Sequence, residues 1–265
     1  MERKKGARTF IALTLSFIIF NIFISLSSNS YFIGKILKSD YFFTIELQNE
    51  NSKEKLQEFE KFLLENENVK GTRFLSKEEA FRNLQKELEI VIPKSENPLP
   101  NSIIVYFKDE KNLHAIQELL DVNPMVREIY IDSQFLQNIQ RKVSAANMSL
   151  FICLILSLGM YYPITTILRG VIIRDYMIFS IKAPQNKKNF SVARNKNLIP
   201  FFGSALVGGM IFFNIYVILR DKYQQILSKL ILQSFKQIIV IEIIATLILL
   251  FLAWKSTGKL KKDEV

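Results

Sequence analysis

The sequence predicts an α-helical membrane protein with four transmembrane helices and one α+β extracytoplasmic domain. The first observation is a set of four apolar runs, at residues 10–26, 148–168, 198–219 and 238–254. Each run has close to the ~20 residues that a helix needs to cross a bilayer. The second observation is a polar stretch between the first two runs, where short strand-like and helix-like patterns alternate as in a small folded domain.

The distribution of charged residues separates the same central stretch from the rest of the chain. Residues 27–147 hold 16 Lys and Arg against 19 Asp and Glu, whereas the rest of the chain holds 19 basic and six acidic residues. Fifteen of these basic residues lie at positions 3–8, 169–196 and 255–262. Because Lys and Arg accumulate in the cytoplasmic loops of membrane proteins, we expect a multi-pass protein with both termini inside.

These patterns predict the following organisation: cytoplasmic N-terminus 1–9, transmembrane helix 10–26, extracytoplasmic domain 27–147, transmembrane helix 148–168, cytoplasmic coupling segment 169–197, transmembrane helix 198–219, short external loop 220–237, transmembrane helix 238–254 and cytoplasmic tail 255–265. A cleavable signal peptide is an alternative for the first run, which follows basic residues and ends near small ones. Its length exceeds the usual apolar region of about 7–15 residues, which favours a membrane helix.

Within the extracytoplasmic domain, one pattern occurs twice. The predicted elements are strand 41–47, helix 53–66 and strand 69–75, then strand 102–108, helix 111–122 and strand 126–131. The strands are short and β-rich, and each helix has apolar residues on one face. Two βαβ units of this kind predict a ferredoxin-like, four-stranded sheet with helices on one face.

An additional helical lobe, residues about 76–101, separates the two units. Ser76 and Glu79 form a capping-box pattern, which predicts a helix from Lys77 to about Glu89. Prolines then predict a stiff loop. The apolar face of the lobe is either part of the core or a docking surface for an external partner, and the candidate docking residues are Phe74, Phe81, Leu84 and Leu88.

Three features concern the membrane helices. The polar segment 132–147 enters the second run without Gly or Pro, which predicts a continuous helix joining the domain to the membrane. Small residues four apart in the third run permit close helix packing, within one subunit or in a dimer; they are Ser204, Ala205, Gly208 and Gly209. Glu242, together with Asn21 or Asn214, could mark a polar pathway through the membrane. The alternative for Glu242 is a position at the membrane interface.

No pattern of a catalytic site is present. The chain has no Gly-x-x-x-x-Gly-Lys-Ser/Thr motif and no Cys/His metal cluster, and its one cysteine, Cys153, excludes an intrachain disulfide. We therefore expect a protein that is not an enzyme, with no catalytic residues, no cofactor and no bound metal.

Three segments carry a family likeness. Residues 74–80 (Phe-Leu-Ser-Lys-Glu-Glu-Ala), 96–102 (Glu-Asn-Pro-Leu-Pro-Asn-Ser) and 126–129 (Val-Arg-Glu-Ile) lie between the first two of four membrane runs. In this arrangement the chain resembles the cell-division protein family FtsX, and Asn-Pro-Leu-Pro-x-Ser is the most specific element. The resemblance covers nearly the whole chain.

The resemblance implies a function in cell division at the bacterial cytoplasmic (inner) membrane. An FtsE-like cytoplasmic ATPase would drive a homodimer of this chain, which activates an extracytoplasmic peptidoglycan hydrolase or its adaptor by mechanotransmission. The cytoplasmic segment 174–184 departs from the family's acidic pattern, with Asp175 as its one acidic residue. The residues proposed to contact the ATPase are Asp175, Tyr176, Ile178, Phe179 and Ile181; the alternative is a segment whose basic residues meet anionic lipid.

Two other functions remain as alternatives. One is the permease subunit of an ABC exporter or of a lipoprotein-extraction complex, and the other is a membrane-anchored enzyme. The exporter requires a polar or lipid-sized path through membrane runs that contain almost no charge. The enzyme requires a nucleophile and a base, and the sequence shows no such set. Cell division is therefore the leading interpretation.

Overall fold

A computed structural model describes residues 2–48, 53–89, 93, 97–183, 188–226 and 232–258. Its helices and strands are α1 Glu2–Ser39, β1 Phe42–Leu47, α2 Lys53–Glu65, β2 Val69–Leu75, α3 Lys77–Leu88, β3 Ser102–Phe107, α4 Leu113–Asp121, β4 Val126–Tyr130, α5 Ser133–Gly159, α6 Tyr161–Lys182, α7 Asn189–Lys196, α8 Leu198–Ile226 and α9 Phe235–Ser256. A 3₁₀ turn, Glu110–Asn112, precedes α4. Pro184 and Lys187 of the predicted coupling segment, and most of the predicted tail, lie outside the described residues.

The chain divides into two compact units. We call Gly34–Ser144 the sheet unit, and Met1–Ile33 together with Ala145–Val265 the helical unit. Among the described residues, four helical regions are long and apolar enough to cross a membrane: Gly6–Ser39, Ser133–Lys182, Asn189–Lys222 and Phe235–Ser256. The predicted fold class, a membrane protein of four apolar helices with an α+β domain, is confirmed.

In the sheet unit, the two βαβ halves are interleaved. The strand order is β2-β3-β1-β4, and every neighbouring pair is antiparallel. Strand β3 of the second half therefore lies between β1 and β2 of the first half, which is the split βαβ arrangement of ferredoxin-like sheets. Neither half forms a sheet of its own.

Alternating residues of the two central strands form the core of the sheet unit. Phe43 lies opposite Val105, and Ile45 lies opposite Ile103. All four side chains are fully buried, in one cluster with residues of α2, α4 and α5: Phe59, Leu63, Ile116, Leu120, Leu136, Ile139 and Val143. A shift of one residue would turn each apolar set away from these helices, so the core determines the register.

The second predicted membrane run, 148–168, is not one uninterrupted helix. Helix α5 ends at Gly159, and α6 begins at Tyr161. Pro163 lies in the first turn of α6, where it cannot donate a hydrogen bond to the carbonyl of Gly159. A proline at this position accounts for the interruption.

The helical unit has its own apolar core. Phe17 of α1 and Phe201 of α8 are fully buried, with their ring centroids 5.8 Å apart, and Trp254 of α9 stacks on Phe201. Ser204 and Ala205 are buried as well. The aromatic contacts join α1, α8 and α9 within one chain.

Gly208 allows α8 to approach α1 closely. A β-carbon at this position would lie 2.9 Å from Cβ of Phe17 and 3.0 Å from the carbonyl oxygen of Thr14. At the next residue, Gly209, the nearest atom is Nδ2 of Asn21 at 3.9 Å. Packing inside one subunit therefore accounts for Gly208, whereas Gly209 has room for a side chain.

This difference predicts opposite outcomes for two matched substitutions. Gly208→Ala forces a methyl group into the backbone of α1 and should cost about 1–3 kcal/mol of stability, lowering the Tm of the full-length protein in detergent by a few degrees. Gly209→Ala should leave the Tm unchanged or raise it, since Ala favours helix. Equal melting temperatures for the two variants would contradict the close approach of α8 to α1.

Candidate functional site

The carboxylate of Asp175 is the centre of a polar cluster that joins α6 to α7 and α8. Asp175 is only 4% exposed. Its Oδ2 accepts a hydrogen bond from Nδ2 of Asn197 at 3.1 Å and forms an ion pair with Nζ of Lys196, also at 3.1 Å. Arg174 lies 3.5 Å from Oδ1. Because these groups surround the carboxylate, Asp175 holds α6, α7 and the beginning of α8 together. The sequence had suggested that Asp175 contacts the ATPase, but its side chain is buried here.

Helix α7 packs against α6 through aromatic and polar contacts. The ring of Phe190 meets Tyr176 edge-on at 6.0 Å, and Nζ of Lys196 lies 5.4 Å from the ring centroid of Phe179. The buried amide of Asn189 donates to the carbonyl oxygen of Ala183 at 2.8 Å. That bond satisfies a carbonyl that the end of α6 leaves free.

Helix α7 also binds the end of α9. The guanidinium of Arg194 lies 4.4 Å from the ring centroid of Trp254 and donates a 3.0 Å hydrogen bond to the carbonyl oxygen of that residue. Cation–π contact and a hydrogen bond to a carbonyl at a helix C-terminus both favour this placement. Any displacement of α7 would therefore affect α6 and α9 together.

One apolar face of α6 remains accessible. Ile181 is 81% exposed and Met177 is 52% exposed. Residues four apart share one side of a helix, so the two side chains form a single patch, which we call the Met177–Ile181 face. Of the predicted coupling residues, Tyr176, Ile178 and Phe179 are half-buried. Met177 was missed, although its spacing from Ile181 was visible in the sequence.

The lobe between β2 and β3 begins with the predicted helix cap. Oγ of Ser76 accepts a hydrogen bond from the backbone N–H of Glu79 at 3.2 Å. The Glu79 carboxylate, however, pairs with Arg73 at 2.8 Å. The principal hydrogen bond of the predicted cap is thus present, and the side chain of Glu79 links the lobe to β2.

The Asn-Pro-Leu-Pro-Asn segment holds the first turn of α3. Nδ2 of Asn97 donates to the carbonyl oxygen of Lys77 at 2.9 Å, and Oδ1 of Asn101 accepts from the N–H of Lys77 at 3.0 Å. Asn97 also accepts a hydrogen bond from the N–H of Leu99, which forms a local turn. Sequence reasoning identified the segment as stiff, but this role of its two asparagines was missed.

The four predicted docking residues differ in accessibility. Phe81 is only 3% exposed, and Phe74, opposite Ile103 in the sheet, packs against the core of the sheet unit. Leu84 is half-buried, whereas Leu88 is 57% exposed. Phe74 and Phe81 therefore face the interior, and Leu88 with part of Leu84 presents the apolar surface of the lobe.

A polar cluster on the other face of the sheet connects β1 to the edge strand β4. The buried Glu46 pairs with Arg127 at 2.7 Å, and the hydroxyl of Tyr130 lies 2.7 Å from Glu128 and 3.0 Å from Glu46. Hydrogen bonds to Glu128 and then Glu46 raise the pKa of Tyr130 to about 12, so the hydroxyl keeps its proton further into the alkaline range than an ordinary tyrosine. These contacts stabilise an edge strand.

Of the polar residues predicted within the membrane runs, Asn21 and Glu242 line one cavity, and Asn214 is not among its lining residues. Glu242 is 2% exposed, and within the described part of the chain neither of its carboxyl oxygens has a hydrogen-bond partner. The buried Asn21 accepts a hydrogen bond from Thr246 at 3.0 Å, whereas Asn214 is exposed. Across the described residues, no three His, Cys, Asp or Glu side chains are placed to hold a metal ion.

The Asp175 cluster predicts a measurable effect on stability. Asp175→Asn keeps the shape of the side chain but removes the charge that binds Lys196, and hydrogen bonds to a charged group contribute about 1.5–3 kcal/mol. The Tm of the full-length protein should therefore fall. The matched control is Asp221→Asn, at an exposed position of α8, which should leave the Tm unchanged. The same Tm for both variants would contradict the anchoring role of Asp175.

Comparison with known proteins identifies the domain that contains the sheet. A family model described as the FtsX extracellular domain matches residues 41–142, from the beginning of β1 into α5. No curated protein matches the chain. FtsX proteins are permease-like, non-catalytic membrane subunits that generally work with an FtsE ATPase. Residues 41–142 thus match an FtsX extracellular domain, and together with the four apolar helices this match supports an FtsX-type membrane protein.

Proposed function

We propose that this chain transmits conformational changes of a cytoplasmic FtsE-like ATPase to an extracytoplasmic cell-wall hydrolase or its adaptor. The observation that carries the proposal is the exposed Met177–Ile181 face, on a helix whose position the buried Asp175 holds. An apolar patch on a firmly held helix is suited to receive force from a partner, since the partner cannot shift it without shifting the helices bound to it.

The proposal places α7 and the end of α6 in the cytoplasm. The positive-inside bias supports this topology: the N-terminus, the 169–196 connection and the C-terminal tail carry 15 Lys and Arg. The chain would then be N-in and C-in in the bacterial inner membrane at the division site, with the domain boundaries predicted from the sequence. Two copies of the chain would act with two ATPase subunits.

Two helices are candidates for carrying the movement outward. Helices α1 and α5 each run from the helical unit into the sheet unit, at Ile33/Gly34 and Ser144/Ala145. In the sheet unit, Leu37 of α1 and Leu136 of α5 pack against the core. A movement of either helix would therefore act directly on the core that supports the lobe.

A charge on the Met177–Ile181 face should abolish binding of the ATPase. Ile181→Asp places a carboxylate in a contact that is apolar in our proposal, and loss of an interface hot spot costs about 2 kcal/mol or more, roughly thirtyfold in affinity. The measurement is co-purification of the FtsE-like ATPase with the full-length protein from membranes. Mass determination of the purified wild-type complex gives the number of copies of each chain.

Val122→Asp is the matched control for Ile181→Asp. Val122 is 82% exposed, much like Ile181, but belongs to the sheet unit. The control should keep the ATPase, and both variants should reach the membrane in normal amounts. If Ile181→Asp also keeps the ATPase, the Met177–Ile181 face is not the docking site.

The lobe is the proposed contact of the external partner, with Leu88 as the most accessible of its apolar residues. Leu88→Asp should weaken binding of the hydrolase or adaptor that co-purifies with the wild-type protein by tenfold or more, on the order of 1.4 kcal/mol. Leu64→Asp in α2 is the control, because Leu64 is 53% exposed against 57% for Leu88. Equal binding by the two variants would exclude this face of the lobe.

A further inference from the structure

A second potential binding site lies between α1 and α8, in the helical unit. A cavity of about 450 Å³ opens there, and its apolar walls include Ile22, Leu26, Phe212, Ile215 and Leu219. Its polar side chains belong to Ser25, Asn29, Ser30, Tyr216 and Arg220. The cavity is therefore amphipathic, and none of the described residues that line it is acidic.

Arg220 is the charged group of this cavity. The residue is half-buried, and its buried Nε atom has no hydrogen-bond partner among the residues that the structure describes. Among the salt bridges between described residues, none involves Arg220. A buried N–H without an acceptor costs about 1–3 kcal/mol, and more when the group is charged. The Nε–H of Arg220 thus lacks an acceptor that a bound anion would supply.

Tyr216 provides a second donor. The amide Nδ2 of Asn29 donates to the carbonyl oxygen of Ser25 at 2.9 Å and approaches Oη of Tyr216 at 3.4 Å, while its Oδ1 accepts from the N–H of Gln233. With Asn29 engaged in this way, the Tyr216 hydroxyl keeps its own proton to donate. Arginine and a phenol hydroxyl together match the oxygens of a phosphate.

The position of the cavity indicates what kind of phosphate would bind. Arg220 directly follows the apolar run 198–219, so its guanidinium lies at a boundary between hydrocarbon and water. Lipid phosphates occupy this level of the membrane, whereas the apolar walls offer a soluble anion nothing to contact. Ile22, Leu26 and Ile215 would instead pack against an acyl chain.

We infer that this cavity is a binding site for one phospholipid, with its phosphate on Arg220 and Tyr216 and an acyl chain along Ile22, Leu26 and Ile215. A bound lipid would fill the space between α1 and α8 close to the end of their apolar runs. The inference is independent of the proposed coupling function, because it requires neither an ATPase nor a hydrolase.

Native mass spectrometry of the full-length, delipidated protein can test this inference. The probes are phosphatidylglycerol, phosphatidylcholine and inorganic phosphate, each titrated separately. Arg220→Gln should weaken the tightest phosphatidylglycerol site about tenfold, because Arg–phosphate hydrogen bonds are charge-assisted. Arg220→Lys should fall between Arg220→Gln and the wild type, since Lys keeps the charge but not the planar fork of donors.

Two further variants separate a built site from general attraction of anions. Lys222→Gln removes the same charge at an exposed position two residues away and should change the affinity less than twofold. Ile215→Trp fills the apolar end and should also weaken phosphatidylglycerol binding without a change in charge. Equal losses for Arg220→Gln and Lys222→Gln would overturn the site, and so would inorganic phosphate that binds as tightly as the lipid. Unaltered lipid binding by Ile215→Trp would overturn the acyl contact.

Discussion

The buried carboxylate of Asp175 is the interaction on which the arrangement of α6, α7 and the beginning of α8 depends. A buried charge is tolerated only when opposite charges and hydrogen-bond donors surround it, and here Lys196 and Asn197 approach at 3.1 Å. Because both partners lie where α7 gives way to α8, one carboxylate determines how two helices meet α6. Arg194 then extends the connection to Trp254 of α9. The helix that carries the accessible Met177–Ile181 face is therefore fixed by polar contacts with α7, α8 and, through α7, α9.

The sheet topology explains why the lobe is a separate feature of the sheet unit. Strands β2 and β3 are antiparallel neighbours, and a turn of a few residues would be enough to connect them. The chain instead uses residues 76–101 for this connection and closes its helical start with Asn97 and Asn101. A long connection that the sheet does not require is usually a functional one. Burial of Phe81 gives this connection an anchor, so that Leu88 is held on a defined surface.

Local sequence patterns predicted the strands well. The candidate sites were harder to predict, because they depend on contacts between residues that are distant in the sequence. The four strands begin and end within one residue of their predicted bounds, because alternation of apolar residues directly reflects which face is buried. The interruption near Pro163 also had a local signal, the proline itself. Burial of Phe81 and of Asp175 had no such local signal. Lys196, the partner of Asp175, lies just over 20 residues away from it in the sequence. The asparagines of the lobe likewise lie about 20 residues from Lys77, which they bind. Sequence spacing within a single helix cannot reveal such partners.

The basic residues near α7 bear on the two interpretations of the coupling segment. If this segment lay on an anionic membrane surface, its Lys and Arg side chains would be directed outward to lipid phosphates. Arg174 and Lys196 instead approach Asp175 and Arg194 stacks on Trp254, so these three basic groups have partners within the protein, with the side chains of Arg174 and Lys196 still 38% and 58% exposed. On α6, the uncharged Ile181 is 81% exposed. An apolar surface gains little from phosphate head groups but gains from burial against a protein. The apolar Met177–Ile181 face therefore suits the protein partner that we propose for it.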